Sequence, residues 1–272
     1  MCLGRQVWPR QPAGDAKPWE FLLYLACQPA EGVSREQLSE ALWPDDDDFD
    51  STHRFRQLRY RLRGMLSAVY GRPISDGIST ERGGPLRLDP TLIHSDAQEF
   101  LQLVRSARLT AGPGLSAIPL LEQARALYTG DLFDGPDVRR YAWADERDES
   151  GVTLREHFRR LFQSATIALA GLYHETNQLE AAVELYHEAS ELDPGNERVW
   201  RSLFRIHAQR CDRPALLREE RRLRASLHES LGDAYADGTV VLGEPSRDLS
   251  LEFQQALAEI NARDPQATAG VV

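Results

Sequence analysis

The chain has 272 residues, 42% hydrophobic and 27% charged, with a formal net charge of −10. That length serves two ordinary domains, and the balance is that of a globular protein rather than a disordered or fibrous one. No apolar run approaches the roughly 18–20 residues of a membrane helix; the start MCLGRQVWPRQ lacks an apolar secretory core; and three scattered cysteines (Cys2, Cys27, Cys211) exclude a disulfide framework or a clustered zinc site, so a cytoplasmic location is expected.

Charge is unevenly divided. Residues 1–95 hold twelve basic and thirteen acidic side chains, the remainder twenty and twenty-nine. Overall acidity disfavours indiscriminate polyanion binding but leaves room for one focused basic face.

Pro18 opens the apolar stretch WEFLLYLACQP, in which Trp19, Leu22, Leu23 and Ala26 recur at helical spacing, and Pro29 and Gly32 close it. Ser34 and Gln37 stand in capping-box relation at the head of SREQLSEALW, where Leu38, Ala41 and Leu42 form the apolar stripe. The like-charge run PDDDDFD reads as a loop, and Asp50 or Ser51 suits the N-cap of the next helix.

That third helix, STHRFRQLRYRLRGML, carries five arginines and no acid. Phe55, Leu58, Leu62, Met65 and Leu66 fall on one stripe, and the opposite side presents His53, Gln57 and Tyr60. Arg54, Arg56, Arg61 and Arg63 flank that side, whereas Arg59 lies nearer the buried stripe, its head expected to reach outward. Ile74, Ile78 and Thr80 then suit a strand, ERGGP a turn bearing Arg82, and Leu86–Leu88 a second strand.

Three helices and a hairpin with a basic tip are the plan of a winged helix-turn-helix, whose third helix enters the major groove. There arginine can bond guanine, and glutamine adenine, in bidentate fashion, each pairing discriminating by about 1–3 kcal/mol. Flanking arginines neutralise phosphates and set register. The competing reading of such a face is a merely solvated one. The acid-free run and the hairpin beside it favour DNA.

Further on, Ser95 caps a helix with Phe100, Leu101 and Val104 on one face; TAGPGLS is a break; and IPLLEQARALY is a helix ending at Gly130. LFDGPD reads as a loop. One long helical stretch is expected from Tyr141 to His174, bent at Ser150-Gly151. Ala170, Tyr173, Ala182, Tyr186, Ala189 and Pro194 fit the tetratricopeptide pattern of small, aromatic and proline positions. A second copy starts with Trp200 and Leu203 and decays at Phe204, Glu220 and Leu223. A break, a short strand at Thr239–Leu242, a last amphipathic helix and a disordered tail after Arg263 complete the reading.

The order resembles the SARP family of bacterial transcriptional activators. The residues that carry the resemblance are GVSREQLSEALWPD, RLRGML, ERGGPLRLDP with HSDAQEF, LLEQARALYTGDLF, and the region from Trp143 to Arg147. It implies a mainly α fold, with a winged helix over 1–94, a tetratricopeptide-like bacterial transcriptional activation domain over 95–263 and a tail over 264–272. It further implies binding to directly repeated promoter DNA, contact with RNA polymerase, and a polymerase-facing role for the loop Pro44–Asp50, whose plain reading is a solvated acidic loop. Two departures stand out. Only GRQVW precedes the first helix where the family has a small sheet, which fits either a fragment of a longer protein or a pared-down N-terminus. Ala234–Leu242 reads as an insertion.

No phosphate-binding loop, dinucleotide fingerprint, zinc-protease motif or nucleophile elbow is present. The seven histidines are dispersed, and Glu156-His157 has no third partner. A non-enzymatic regulator is therefore expected, without cofactor or metal. Its DNA-binding residues would be His53, Arg54, Arg56, Gln57, Tyr60 and Arg61, with Arg63 and wing Arg82 on the backbone. Its helical part would supply protein contacts, homodimerisation or effector sensing. The alternatives are a tetratricopeptide adaptor or scaffold, and the output region of a larger sensor.

Overall fold

The computed structural model describes residues 16–44, 51–79, 84–110, 115–133, 141–232 and 244–263. Arg82, Thr80, the acidic run 45–50, the segment GRQVW, the Thr239–Leu242 strand, the 234–242 insertion and the tail after 263 lie outside them. The described residues are mainly helical, with eleven α-helices and one two-stranded hairpin. The chain divides into two compact units, Met1–Phe162 and Gln163–Val272.

The first unit begins with three helices, α1 (Ala16–Ala26), α2 (Arg35–Leu42) and α3 (Ser51–Tyr70). Phe21, Leu22 and Leu25 of α1 are buried, as are Phe55, Leu58, Leu62 and Leu66 of α3, so the stripe read from the sequence forms the core. Phe21 meets Phe55 edge-on at 5.9 Å. At the head of α2 the capping box is complete. The Ser34 hydroxyl accepts from Gln37 N at 3.2 Å, and the Gln37 side chain accepts from Ser34 N at 2.9 Å.

The hairpin pairs β1 (Ile78–Ser79) with β2 (Arg87–Leu88), antiparallel, with Ile78 opposite Leu88. Ile74 is not in the strand: its N–H is donated to the Ser67 hydroxyl of α3 at 3.2 Å. Val33, between α1 and α2, adds a bridge to Leu86, with paired backbone bonds of 3.0 and 2.7 Å. Gly32, at φ 87°, permits that approach, because a Cβ there would sit 2.3 Å from the Leu86 carbonyl oxygen.

Helix α4 (Asp96–Leu109) closes the far end of α1. The Ser95 hydroxyl donates to Ala26 O at 2.6 Å, and the Gln98 amide donates to Leu25 O and Gln28 O, both at 3.0 Å. These bonds satisfy carbonyls that the end of a helix leaves open. Helix α5 (Ile118–Leu127) packs on α4, and Phe100 stacks on Phe158 at 5.9 Å.

The helical stretch expected from Tyr141 to His174 with a bend at Ser150-Gly151 is two helices, α6 (Ala142–Asp145) and α7 (Leu154–Glu175), and the bend is a full break. Asp148 explains the break: its carboxylate accepts from Ser150 N, the Ser150 hydroxyl and Val152 N at 2.6–3.0 Å, while Gly151 adopts φ 76°. These bonds offer the backbone a turn in place of a helical ladder. Thr153 then caps α7 in a reciprocal box with Glu156, at 3.0 and 3.1 Å. Glu156, singled out above beside His157, is thus a capping residue.

The second unit holds the C-terminal part of α7 and α8 (Leu179–Leu192), α9 (Glu197–Gln209), α10 (Arg213–Gly232) and α11 (Arg247–Arg263). Ala170, Ala182 and Ala189 are fully buried, as the tetratricopeptide pattern requires of positions where helices meet closely. Trp200, Leu203, Phe204 and Leu223 are buried as well, and Trp200 Nε1 donates to Pro194 O at 2.9 Å. Glu220, at the degenerate aromatic position, is half-buried and pairs with Arg224.

Candidate nucleic-acid interface

Burial of Phe55, Leu58, Leu62 and Leu66 fixes the rotation of α3 and hence what its other side offers. His53, Arg56, Gln57, Tyr60, Arg61 and Arg63 are exposed, and Arg54 is half-buried. Tyr60 is 75% exposed, far more than an aromatic ring needs merely to complete a core. Gln57 Nε2 lies 2.8 Å from His53 Nε2, so the two residues one turn apart form a joined hydrogen-bonding pair. No acid lies on α3. The arrangement is a row of directional donors and acceptors flanked by fixed positive charge.

Arg59 departs from expectation. Its head turns inward rather than to solvent: Nε bonds the Asp76 carboxylate at 2.5 Å, and a second nitrogen lies 3.4 Å from Ile78 O. Asp76 is 3% exposed, and its other oxygen accepts from Ile78 N at 3.3 Å. The pair ties the middle of α3 to the base of the hairpin. Reading α3 alone could not find Asp76, 17 positions away.

Arg35 was also missed. It opens α2 with its guanidinium over the Phe55 ring at 5.4 Å, beside the start of α3. A basic residue directly after the Ser34 cap was the available signal. Tyr70, at the other end of α3, donates to Leu92 O and anchors the helix to the segment before α4.

The second unit has a cavity of about 340 Å³ between α9 and α11, lined by Arg201, Phe204, Arg205, Glu252, Glu259 and Arg263. Its charges are largely answered within the fold. Arg201 bonds Glu197 at 2.7 Å and lies 3.2 Å from Glu252, and Arg263 reaches Ala208 O at 3.5 Å. Among the described residues, no group of His, Cys, Asp and Glu is arranged to hold a metal ion, and no helix is long and apolar enough to cross a membrane.

The sequence profile of the bacterial transcriptional activator domain matches residues 95–242, more than half of the chain. The chain belongs to that family. The bacterial transcriptional activator domain is matched from Ser95, the N-cap of α4, so the winged helix lies ahead of it. A solved structure of Mycobacterium tuberculosis EmbR, in complex with a low-affinity phosphopeptide, aligns with a TM-score of 0.58 at 18% identity. The alignment covers 95% of this chain and 64% of that one, and it shows a shared fold. The comparison with curated proteins gives no match. The SARP-type resemblance and the mainly α fold read from the sequence are borne out by the domain match and the shared fold.

Proposed function

We propose that the protein is a sequence-specific DNA-binding transcriptional regulator of the SARP type, acting as an activator at directly repeated promoter sites. The observation that carries this reading is the acid-free outer face of α3, rigidly oriented by its buried stripe. His53, Gln57, Tyr60, Arg56 and Arg61 would face base edges. Arg54, Arg63 and wing Arg82 would meet phosphates, with Arg35 added at the head of α2. Membership of an activator-domain family supports contact with RNA polymerase, for which the acidic loop after Pro44 remains the candidate. Direct repeats would seat two copies side by side. Such a regulator works where the chromosome is, in the cytoplasm.

The experiment is selection of bound duplexes from a genomic library, followed by the same selection with Gln57→Ala and with Arg63→Ala. Wild type should enrich a repeated motif. Gln57→Ala should relax the motif at one position of each repeat, since a lost bidentate pair removes about 1–3 kcal/mol of discrimination. Arg63→Ala should weaken all sequences alike, because phosphate contacts carry no base information. Enrichment of no motif by wild type would refute the reading and leave a protein-binding helical scaffold.

A further inference from the structure

Three successive helices of the second unit bring titratable side chains to one buried point. His187 comes from α8, His207 from α9 and Glu219 from α10. His187 Nε2 lies 3.0 Å from Glu219 Oε1, and His207 Nε2 lies 3.7 Å from the same oxygen. His207 is 5% exposed and Glu219 6%. The second carboxylate oxygen of Glu219 and both ring nitrogens of His207 are buried without a hydrogen-bond partner.

Buried polar atoms are nearly always hydrogen-bonded, so three orphans around one carboxylate call for a physical account. A neutral imidazole donates from one nitrogen only, a charged one from both. With both rings neutral, Glu219 is a buried carboxylate served by one neutral donor, and the His207 contact is too long for a hydrogen bond. With the rings charged, both contacts become ion pairs in a medium that screens them poorly. Burial alone would raise the carboxyl of Glu219, but the hydrogen bond from His187 and the charge of His187 and His207 outweigh it and hold the group down at about 2.

Of the other charged groups on these helices, several are paired elsewhere or face solvent, and Arg213 stands in the first turn of α10 with its Nε buried. Glu191 pairs with Arg222 at 2.7 Å, Arg210 with Glu180 at 2.9 Å, and Glu220 with Arg224. Glu188, next to His187, has its own interaction. Glu184 and Arg218 are exposed. From α7, His174 lies 3.2 Å from Gln209, and from α11 Arg263 reaches Ala208 O at 3.5 Å. Among the described residues, the two imidazoles are the groups that meet Glu219.

We propose that His187, Glu219 and His207 form a pH-sensitive latch, which draws α8, α9 and α10 together when the imidazoles are charged and slackens them when the imidazoles are neutral. The device would make the packing of the helical repeats respond to pH, since histidine is the side chain suited to switch charge near neutrality. It needs nothing from the DNA-binding reading and stands or falls separately.

The test is amide hydrogen exchange of the full chain at pH 5.5 and pH 8, corrected for the intrinsic pH dependence of exchange, with and without EDTA. Protection in α8–α10 should be about three- to tenfold greater at pH 5.5, the span between a neutral and a charge-assisted hydrogen bond. The His187→Gln/His207→Gln double variant should show equal protection at the two pH values, and so should Glu219→Gln. If Glu219→Gln does not fold, the histidine variants decide alone. Equal protection in wild type, or an undiminished pH effect in the histidine double variant, overturns the latch. Loss of the effect with EDTA overturns it too, because the charge would then come from a bound metal ion.

Discussion

Removing the Asp76 carboxylate tests whether α3 is braced from within. Asp76→Ala deletes the 2.5 Å bond to Arg59 and the 3.3 Å bond to Ile78 N, and leaves a guanidinium facing a buried gap. Truncating one partner of a fully buried ion pair costs about 3–5 kcal/mol. Arg59 is 28% exposed, so solvent takes up part of the loss, and about 2–3 kcal/mol is expected. Asp76→Asn keeps the shape and one acceptor and should cost about half as much. Arg59→Ala also loses the contact with the Phe55 ring at 5.9 Å, worth about 0.5–1 kcal/mol. Urea unfolding of wild type, Asp76→Ala, Arg59→Ala and the double variant of these two closes a thermodynamic cycle. The pair should couple by about 1.5–3 kcal/mol, falling modestly in 0.5 M salt. Additive single effects would refute the brace and make Arg59 an ordinary packed side chain.

Three further outcomes follow from particular atoms. Gly32→Ala should cost at least about 2 kcal/mol in urea unfolding, since φ is 87° and the new Cβ would strike the Leu86 carbonyl. Serine at the same position should do no better, and a cost near zero would mean that the Val33–Leu86 bridge is not held. Burial, then Asp96, pushes the Cys27 thiol up, whereas Cys211 is exposed; at neutral pH a thiol reagent should label Cys211 in the native protein and Cys27 only after unfolding. With the imidazoles charged, the Glu219 carboxyl is held at about 2 against an ordinary 4.5, so its contribution is present just above pH 4.5 and lost as pH falls toward 2. Its loss should remove a few kcal/mol over that window in wild type. Glu219→Gln should lack that part of the acid transition, and an unchanged acid profile in the variant would count against the histidine contacts.

What was legible in the sequence was local. The Ser34–Gln37 box spans three positions, and the stripe from Phe55 to Leu66 lies on one helix, so both could be read without knowing the fold. The same stripe placed the outward side of α3. The misreadings share a cause. A bend was legible at Ser150-Gly151, but its extent was not, because one carboxylate competing for three local donors breaks the helix through Asp148–Val152. A Thr153–Glu156 box was present as a start signal and was overlooked. Arg59 found Asp76 17 residues on, and Val33 found Leu86 53 residues on; pairings set by tertiary closure leave no trace in periodicity. The His187–Glu219–His207 cluster is the extreme case, with one member from each of three helices.

Duplex binding across a series of salt concentrations tests the central claim most directly, with wild type beside the Arg54→Ala/Arg63→Ala double variant, which lacks two of the arginines assigned to phosphates. The account predicts that log affinity falls linearly with log salt at about −0.9 per phosphate neutralised. The variant should bind more weakly and with a slope shallower by up to about 2 units. No duplex bound even at about 50 mM salt, or a variant indistinguishable from wild type in affinity and slope, would contradict it.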